Sequence, residues 1–99
     1  MAIIVVEGLI LGVRQLDNGN TAFDLSENVG TKEIPQYNNY NCIGRFSENQ
    51  LKHIYKDKIV EIVGDLKCVR VEKEGKTYFN LHSYVYNLTF KGEVKREDK

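Results

Sequence analysis

The stretch Tyr40-Asn41-Cys42-Ile43-Gly44-Arg45-Phe46-Ser47-Glu48-Asn49-Gln50-Leu51, continued by Lys52 to Leu66, sets a short helix between two strands. Tyr40 to Phe46 mixes aromatic, β-branched and small residues and reads as a strand. Ser47, with Gln50 three positions later, has the form of a capping box, in which a hydroxyl accepts from a backbone N–H of the first turn and an amide reaches back to the cap. Leu51, Ile54 and Tyr55 follow at helical spacing and supply an apolar face. After Asp57-Lys58, the run Ile59 to Glu72 alternates and reads as the next strand. Val60, Ile62, Gly64, Leu66 and Cys68 then form its core face, with Lys67, Val69 and Val71 on the other.

Upstream, Ile3 to Leu16 is rich in Ile, Val and Leu, carries Gly8 and Gly12 as bend points, and ends at the turn Asp17-Asn18-Gly19-Asn20. Thr21 to Leu25 gives a second strand, and Ser26 to Asn39, with Gly30 and Pro35, reads as the longest loop. Downstream, Glu74-Gly75-Lys76 turns the chain into a last strand, Thr77 to Phe90. The result is an all-β class: five strands with one short helix between the third and fourth, the order of the OB-fold Greek-key barrel, whose exposed strand face and loops commonly bind oligonucleotides, although the order alone also fits other small barrels. Residues 1–90 form one such domain, and 91–99, too charged to pack, form a short flexible tail.

Composition fits a single soluble domain. In 99 residues, 41% are hydrophobic and 28% charged, which excludes a disordered chain. The longest apolar run, Ile3 to Val6, is far short of a membrane span and lacks the flanks of a signal peptide, so a cytoplasmic protein without membrane contact is expected. Lys and Arg number 14 against 14 Asp and Glu, so no global field draws in a polyanion and any nucleic-acid site must be local. Cys42 and Cys68 are read as free thiols, buried or half-buried. With His53 and His82 they have no structural-zinc spacing, and no Ser, His and Asp arrangement or phosphate loop marks an enzyme; neither metal nor cofactor is expected.

Several short patterns resemble the single-stranded-DNA-binding protein family, its PriB-like primosomal branch included. These are Ile4-Val5-Val6-Glu7-Gly8-Leu9, the Asn18-Gly19 turn followed by Thr21-Ala22-Phe23, and Tyr40 to Ser47 with its aromatic residue six positions before a Phe. Lys56 to Leu66 ends in Gly-x-Leu after a basic turn, and Glu74-Gly75-Lys76 is followed by Leu81-His82, the pair most similar to the primosomal branch. The resemblance spans Ile3 to Leu88. It implies binding of single-stranded DNA in replication, recombination or repair, self-association as dimer or tetramer, and contact with replication proteins. Cellular members end in an acidic, Phe-tipped tail, whereas this sequence ends Arg96-Glu97-Asp98-Lys99, which points to a phage, plasmid or primosomal type. With no Trp in the chain, base stacking falls to Tyr and Phe.

Stacking on an aromatic ring tolerates any base and contributes about 1–3 kcal/mol per base. The resemblance puts Tyr40, Cys42, Gly44 and Phe46 on the outer face of the third strand, with Ile43 inward, making Tyr40 and Phe46 stacking candidates. Tyr78, beside the last hairpin, is the third. Arg45, Lys67, Arg70, Lys73 and Lys76 surround these positions and are the phosphate candidates, which predicts salt-sensitive binding with little sequence preference. Tyr84 and Tyr86 are assigned to packing or a subunit interface. Two rival readings remain: an OB-fold protein-interaction module without nucleic-acid binding, and an RNA binder, which would share the stacking chemistry but lacks aromatic-rich RNP-type strands.

Overall fold

The computed structural model describes residues 2–94. Six strands and one helical turn follow one another as β1 (Ile3–Gln15), β2 (Thr21–Asn28), β3 (Tyr37–Gly44), α1 (Glu48–Leu51), β4 (Lys58–Asp65), β5 (Lys67–Lys73) and β6 (Lys76–Glu93). The sheet order is β3-β2-β1-β4-β6-β5, and a parallel β3–β6 pairing closes it into a ring. This is the barrel expected from the element order, with six strands in place of five. The sixth arises because the expected fourth strand breaks at Leu66, whose N–H donates to the Ala2 carbonyl at 2.9 Å. Beyond the break, β5 leaves the barrel and pairs with the first part of β6 as an exposed hairpin arm.

The core is built from alternate strand positions. Val6 and Ile10 of β1, Phe23 and Leu25 of β2, Cys42 of β3, Val60 and Ile62 of β4, and Val85 and Leu88 of β6 are buried, each aliphatic or aromatic side chain contributing about 1.5–3 kcal/mol on burial. Two bends let β1 and β6 serve different sides of the ring. In β1 the register slips between Ile10 and Gly12, and a Cβ on Gly8 would lie 2.5 Å from the Ser26 carbonyl oxygen. In the β4–β6 pair it slips between Val63 and Gly64, where the bare Gly64 lets the Tyr84 carbonyl and the Ser83 hydroxyl close in.

Other boundaries shift for local reasons. The expected Ser26–Asn39 loop shrinks to 29–36, because Ser26, Glu27 and Asn28 pair with Asn39, Asn38 and Tyr37 despite their polarity. The capping box forms: Gln50 N–H donates to Ser47 Oγ at 3.2 Å, and Ser47 N–H donates to Gln50 Oε1 at 3.0 Å. The helix is a single turn; Ile54 is buried beyond it, while Tyr55, expected on its apolar face, is exposed. The last strand, expected to end at Phe90, runs on to Glu93. Asp57, in the left-handed region at φ 72°, donates to the Ile10 carbonyl and accepts from Val94 N–H, both at 2.9 Å. Lys58 is buried, bonded to the Glu93 carboxylate, with its ammonium 4.5 Å from the Tyr55 ring centre and 4.8 Å from that of Phe90. Of the expected tail, 95–99 lie outside the described residues.

Candidate nucleic-acid interface

Antiparallel and parallel neighbours alike direct paired side chains to one side of a sheet, so the pairing registers define the outer face. One row crosses the barrel as Arg14, Ala22, Ile43 and Tyr84, from β1, β2, β3 and β6. The next runs Asp24, Asn41, His82 and Lys67, from β2, β3, β6 and β5. Apart from Asp24, the residues of these two rows floor and line a cleft of about 500 Å³ that also takes in Leu16 and Asp65. The small Ala22 lies at its bottom and is buried although it faces outward. Asp65 holds the β6 side of the cleft in place, its Oδ1 accepting from Tyr84 N–H at 2.7 Å.

Along β6 the outward stripe continues through Tyr78, Asn80, His82 and Tyr84, the two tyrosines standing about 20 Å apart along the strand. Tyr78 and Tyr84 are 49% and 42% exposed, enough to offer a ring face. The cleft thus presents two cations, Arg14 and Lys67, an imidazole and the Tyr84 ring, and the stripe beyond it adds the Tyr78 ring on the same outer surface. That combination suits a flexible polyanion carrying flat rings: the cations meet phosphate, the rings stack.

Of the eight site residues expected from sequence, Lys67 and Tyr78 lie on this surface, and Lys73 and Lys76 share its face at the tip of the arm. The β3 assignment is inverted. Tyr40 and Cys42 face inward and are buried, and Ile43 faces the cleft, because Tyr40 and Cys42 pair with the core residues Leu25 and Phe23. The Tyr40 hydroxyl donates to Glu27 Oε1 at 2.9 Å; burial first, then this bond, raises its pKa above the ordinary 10.0. Burial first and Asp24 second push the Cys42 thiol up to about 12. Phe46 is half-buried and packs on the core, its ring centre 6.0 Å from that of Phe23. Arg45 braces the β1–β2 turn, donating to Asn20 Oδ1 at 3.2 Å and to the Asn18 carbonyl at 3.1 Å. Arg70 pairs with Glu72 at 2.6 Å on the opposite face of the hairpin arm from Tyr78, and Lys73 and Lys76 face each other beside its tip. Cys68, expected at least half-buried, is exposed on the same arm.

Sequence reasoning missed Arg14, Asn41 and His82 as surface partners and gave Tyr84 to packing or a subunit interface. The signal for Tyr84 was present in the shared parity of Tyr78, His82 and Tyr84. Arg14 carried none, since its place over the cleft depends on the bulge in β1.

No protein-family model matches the chain, and neither does any curated protein. Among solved structures, the barrel is similar to a small single-stranded DNA-binding protein from Streptomyces coelicolor, with a TM-score of 0.69 at 17% identity over 90% of this chain and 93% of that one. The mitochondrial single-stranded DNA-binding protein Rim1 of S. cerevisiae gives a TM-score of 0.66 at 12% identity, covering 94% and 97% of the two chains. A small single-stranded DNA-binding protein from Mycoplasma pneumoniae gives 0.61 at 14% identity, covering 99% of each. At these identities the likeness establishes the fold. The chain has the OB-type barrel found in small single-stranded DNA-binding proteins, as its sequence patterns led one to expect.

Proposed function

We propose that this protein binds single-stranded DNA without catalysis, the strand lying on the outer face of β2, β3 and β6 between the β1–β2 turn and the β5–β6 arm. The observation that carries the reading is the cleft itself. Arg14, Lys67, His82 and Tyr84 converge there, in a barrel similar to those of single-stranded DNA-binding proteins. Tyr84 and Tyr78 stack bases; Arg14 and Lys67 take phosphates, with Lys73 and Lys76 adding charge at the arm. Such a protein would coat or hold single strands in replication, recombination or repair, in the cytoplasm. The test is fluorescence anisotropy of a labelled oligo-dT at two salt concentrations, with duplex of equal length as control. Tight binding to the single strand that weakens with salt and is reduced in Tyr84→Ala supports it. No binding at low salt overturns it and leaves the protein-interaction module as the better reading.

We infer in addition that the chain self-associates through the start of β1. Ile3 to Gly8 pair with β4 alone, leaving the other backbone edge open, and Ile3 and Val5 are 58% and 62% exposed beside it. An open edge flanked by apolar side chains favours pairing with a second chain. Sedimentation velocity should find a dimer or larger species that Val5→Lys shifts towards monomer; a monomer at all concentrations counts against it.

A further inference from the structure

The imidazole of His82 stands in the second row of the cleft, opposite Lys67 across the antiparallel β5–β6 pair and beside Asn41 across the parallel β3–β6 pair. Directly opposed residues of an antiparallel pair lie about 4.5–5.5 Å apart at Cα, so the lysine and the histidine project side by side from one face. The His82 ring is half-buried, yet it makes no hydrogen bond, ion pair or ring contact with another described residue, and neither of its nitrogens is sealed from solvent. The other histidine of the chain, His53, is engaged in packing. Its ring stacks on Phe90 with 4.6 Å between centres, on a ring that also carries the buried Lys58 ammonium.

Charged groups face His82 from several strands of the barrel. Arg14 of β1 and Lys67 of β5 are the cations of the lining, and Asp65, at the end of β4, is its carboxylate. Asp65 is already engaged, its Oδ1 accepting from Tyr84 N–H at 2.7 Å. Asp24 of β2 lies two strands away in the same row and outside the lining. β3 contributes the uncharged Asn41 and Ile43, and Tyr84 is the titratable neighbour on β6 itself. With the cleft empty, a proton on the imidazole sets a second cation next to Lys67. With a phosphate seated between the two, both charges face an anion instead. Histidine is the side chain that makes this choice between about pH 5 and pH 8.

We propose that His82 is a third phosphate contact of the cleft and binds in its protonated form, so that the strand and a proton from solvent are taken up together. The protonated ring donates from both nitrogens, one N–H reaching the phosphate that Lys67 also meets. Such a charge-assisted bond is roughly twice as strong as a neutral one. The surface therefore holds single strands more tightly in mild acid, by a side chain that stacking and the two permanent cations leave unused.

The inference rests on the single-stranded-DNA reading, and the test separates the two. Anisotropy of labelled oligo-dT is measured at about pH 5.5 and about pH 8, at several salt concentrations, with wild type, His82→Gln, His82→Lys and His53→Gln, each with an unchanged thermal melt. Wild type should bind about five-fold tighter at the lower pH, the gain from making one hydrogen bond charge-assisted. Its slope of log K against log salt should steepen there by about one. His82→Gln should lose both effects and bind at either pH as wild type does at the higher one. His82→Lys should bind tightly at both, and His53→Gln should behave as wild type. Equal wild-type affinity at the two pH values, a pH effect that survives His82→Gln or His82→Lys, or one that vanishes in His53→Gln overturns the proton-linked contact while leaving the coating function standing. Binding by none of the proteins at either pH overturns the coating function, and the contact with it.

Discussion

The Tyr40 hydroxyl bonds to the Glu27 carboxylate across the β2–β3 pair, at 2.9 Å, with the Tyr40 ring buried between strands. Tyr40→Phe keeps the ring and removes one hydrogen bond to a charged acceptor. Stability should fall by about 1–2 kcal/mol, read from the urea midpoint, while affinity for oligo-dT is unchanged. A Phe variant of normal stability but weaker DNA binding would return Tyr40 to the outer face. Tyr40→Ala is the poorer probe, because removing a buried aromatic ring costs about 3–5 kcal/mol and loss of binding would then report unfolding.

Three groups hold their protons more tightly in the fold than in the open chain. They are Cys42, pushed from 9.0 up to about 12 by burial, Tyr40, raised above 10.0, and Lys58, raised above 10.5 by its bond to Glu93. For all three the sign is the same. The stabilisation is complete below the unfolded pKa and is lost as pH rises through the folded one, because the unfolded chain releases its proton first. Stability should therefore hold through neutral pH and decline from about pH 9 upward, and Cys42→Ala should flatten the earliest part of the decline. Thiol labelling at neutral pH checks the burial directly, with one reactive group per native chain, Cys68, and two in urea.

The order of elements was legible because its signals are local: the Ser47–Gln50 capping box, the Asn18-Gly19 turn and the alternation from Val60 to Gly64. What failed was set by long-range contacts. Leu66-Lys67-Cys68 continues the alternation without a break, and only the bond to Ala2 and the Asp65–Tyr84 contact divide the strand there. The inverted face of β3 has the same origin. Cys42 and Gly44 are small enough for either side, and it is the register against Phe23 and Leu25, fixed by the 29–36 connection, that turns Tyr40 inward.

Glu74 and Gly75 form the two-residue connection between Lys73 and Lys76, with φ of 54° and 74°. Both values fit a type I′ turn, which favours Asn-Gly. Glu has no local bond to offset a left-handed backbone, so Glu74→Asn should stabilise the arm, by about 0.5–1 kcal/mol. Urea unfolding would register the gain; a loss would mean the Glu74 carboxylate contributes more than its backbone costs.

Ser83 is 1% exposed, and its hydroxyl has no hydrogen-bond partner among the described residues. It packs where the bare Gly64 meets β6, so the side chain fits by size rather than by polarity. Ser83→Ala removes an unsatisfied hydroxyl while leaving a small residue in place, and stability should rise by about 1 kcal/mol. A destabilised alanine variant would instead place an ordered water on the hydroxyl.

Lys67 and Tyr84 stand in adjacent rows of the cleft but should fail differently when removed. Lys67 is exposed and acts on phosphate through charge, so Lys67→Ala should weaken binding at low salt and reduce the slope of log K against log salt by about one. Tyr84→Ala should cost about 1–3 kcal/mol of affinity at every salt concentration and leave the slope alone, because stacking releases no counterions. Arg45→Ala is the control: it removes an equal charge from the β1–β2 turn, away from the cleft lining, and should alter the slope less than Lys67→Ala. Equal slopes in all three variants would mean that phosphates run elsewhere on the barrel, and a slope change in Tyr84→Ala would mean that the ring orders a neighbouring cation rather than a base.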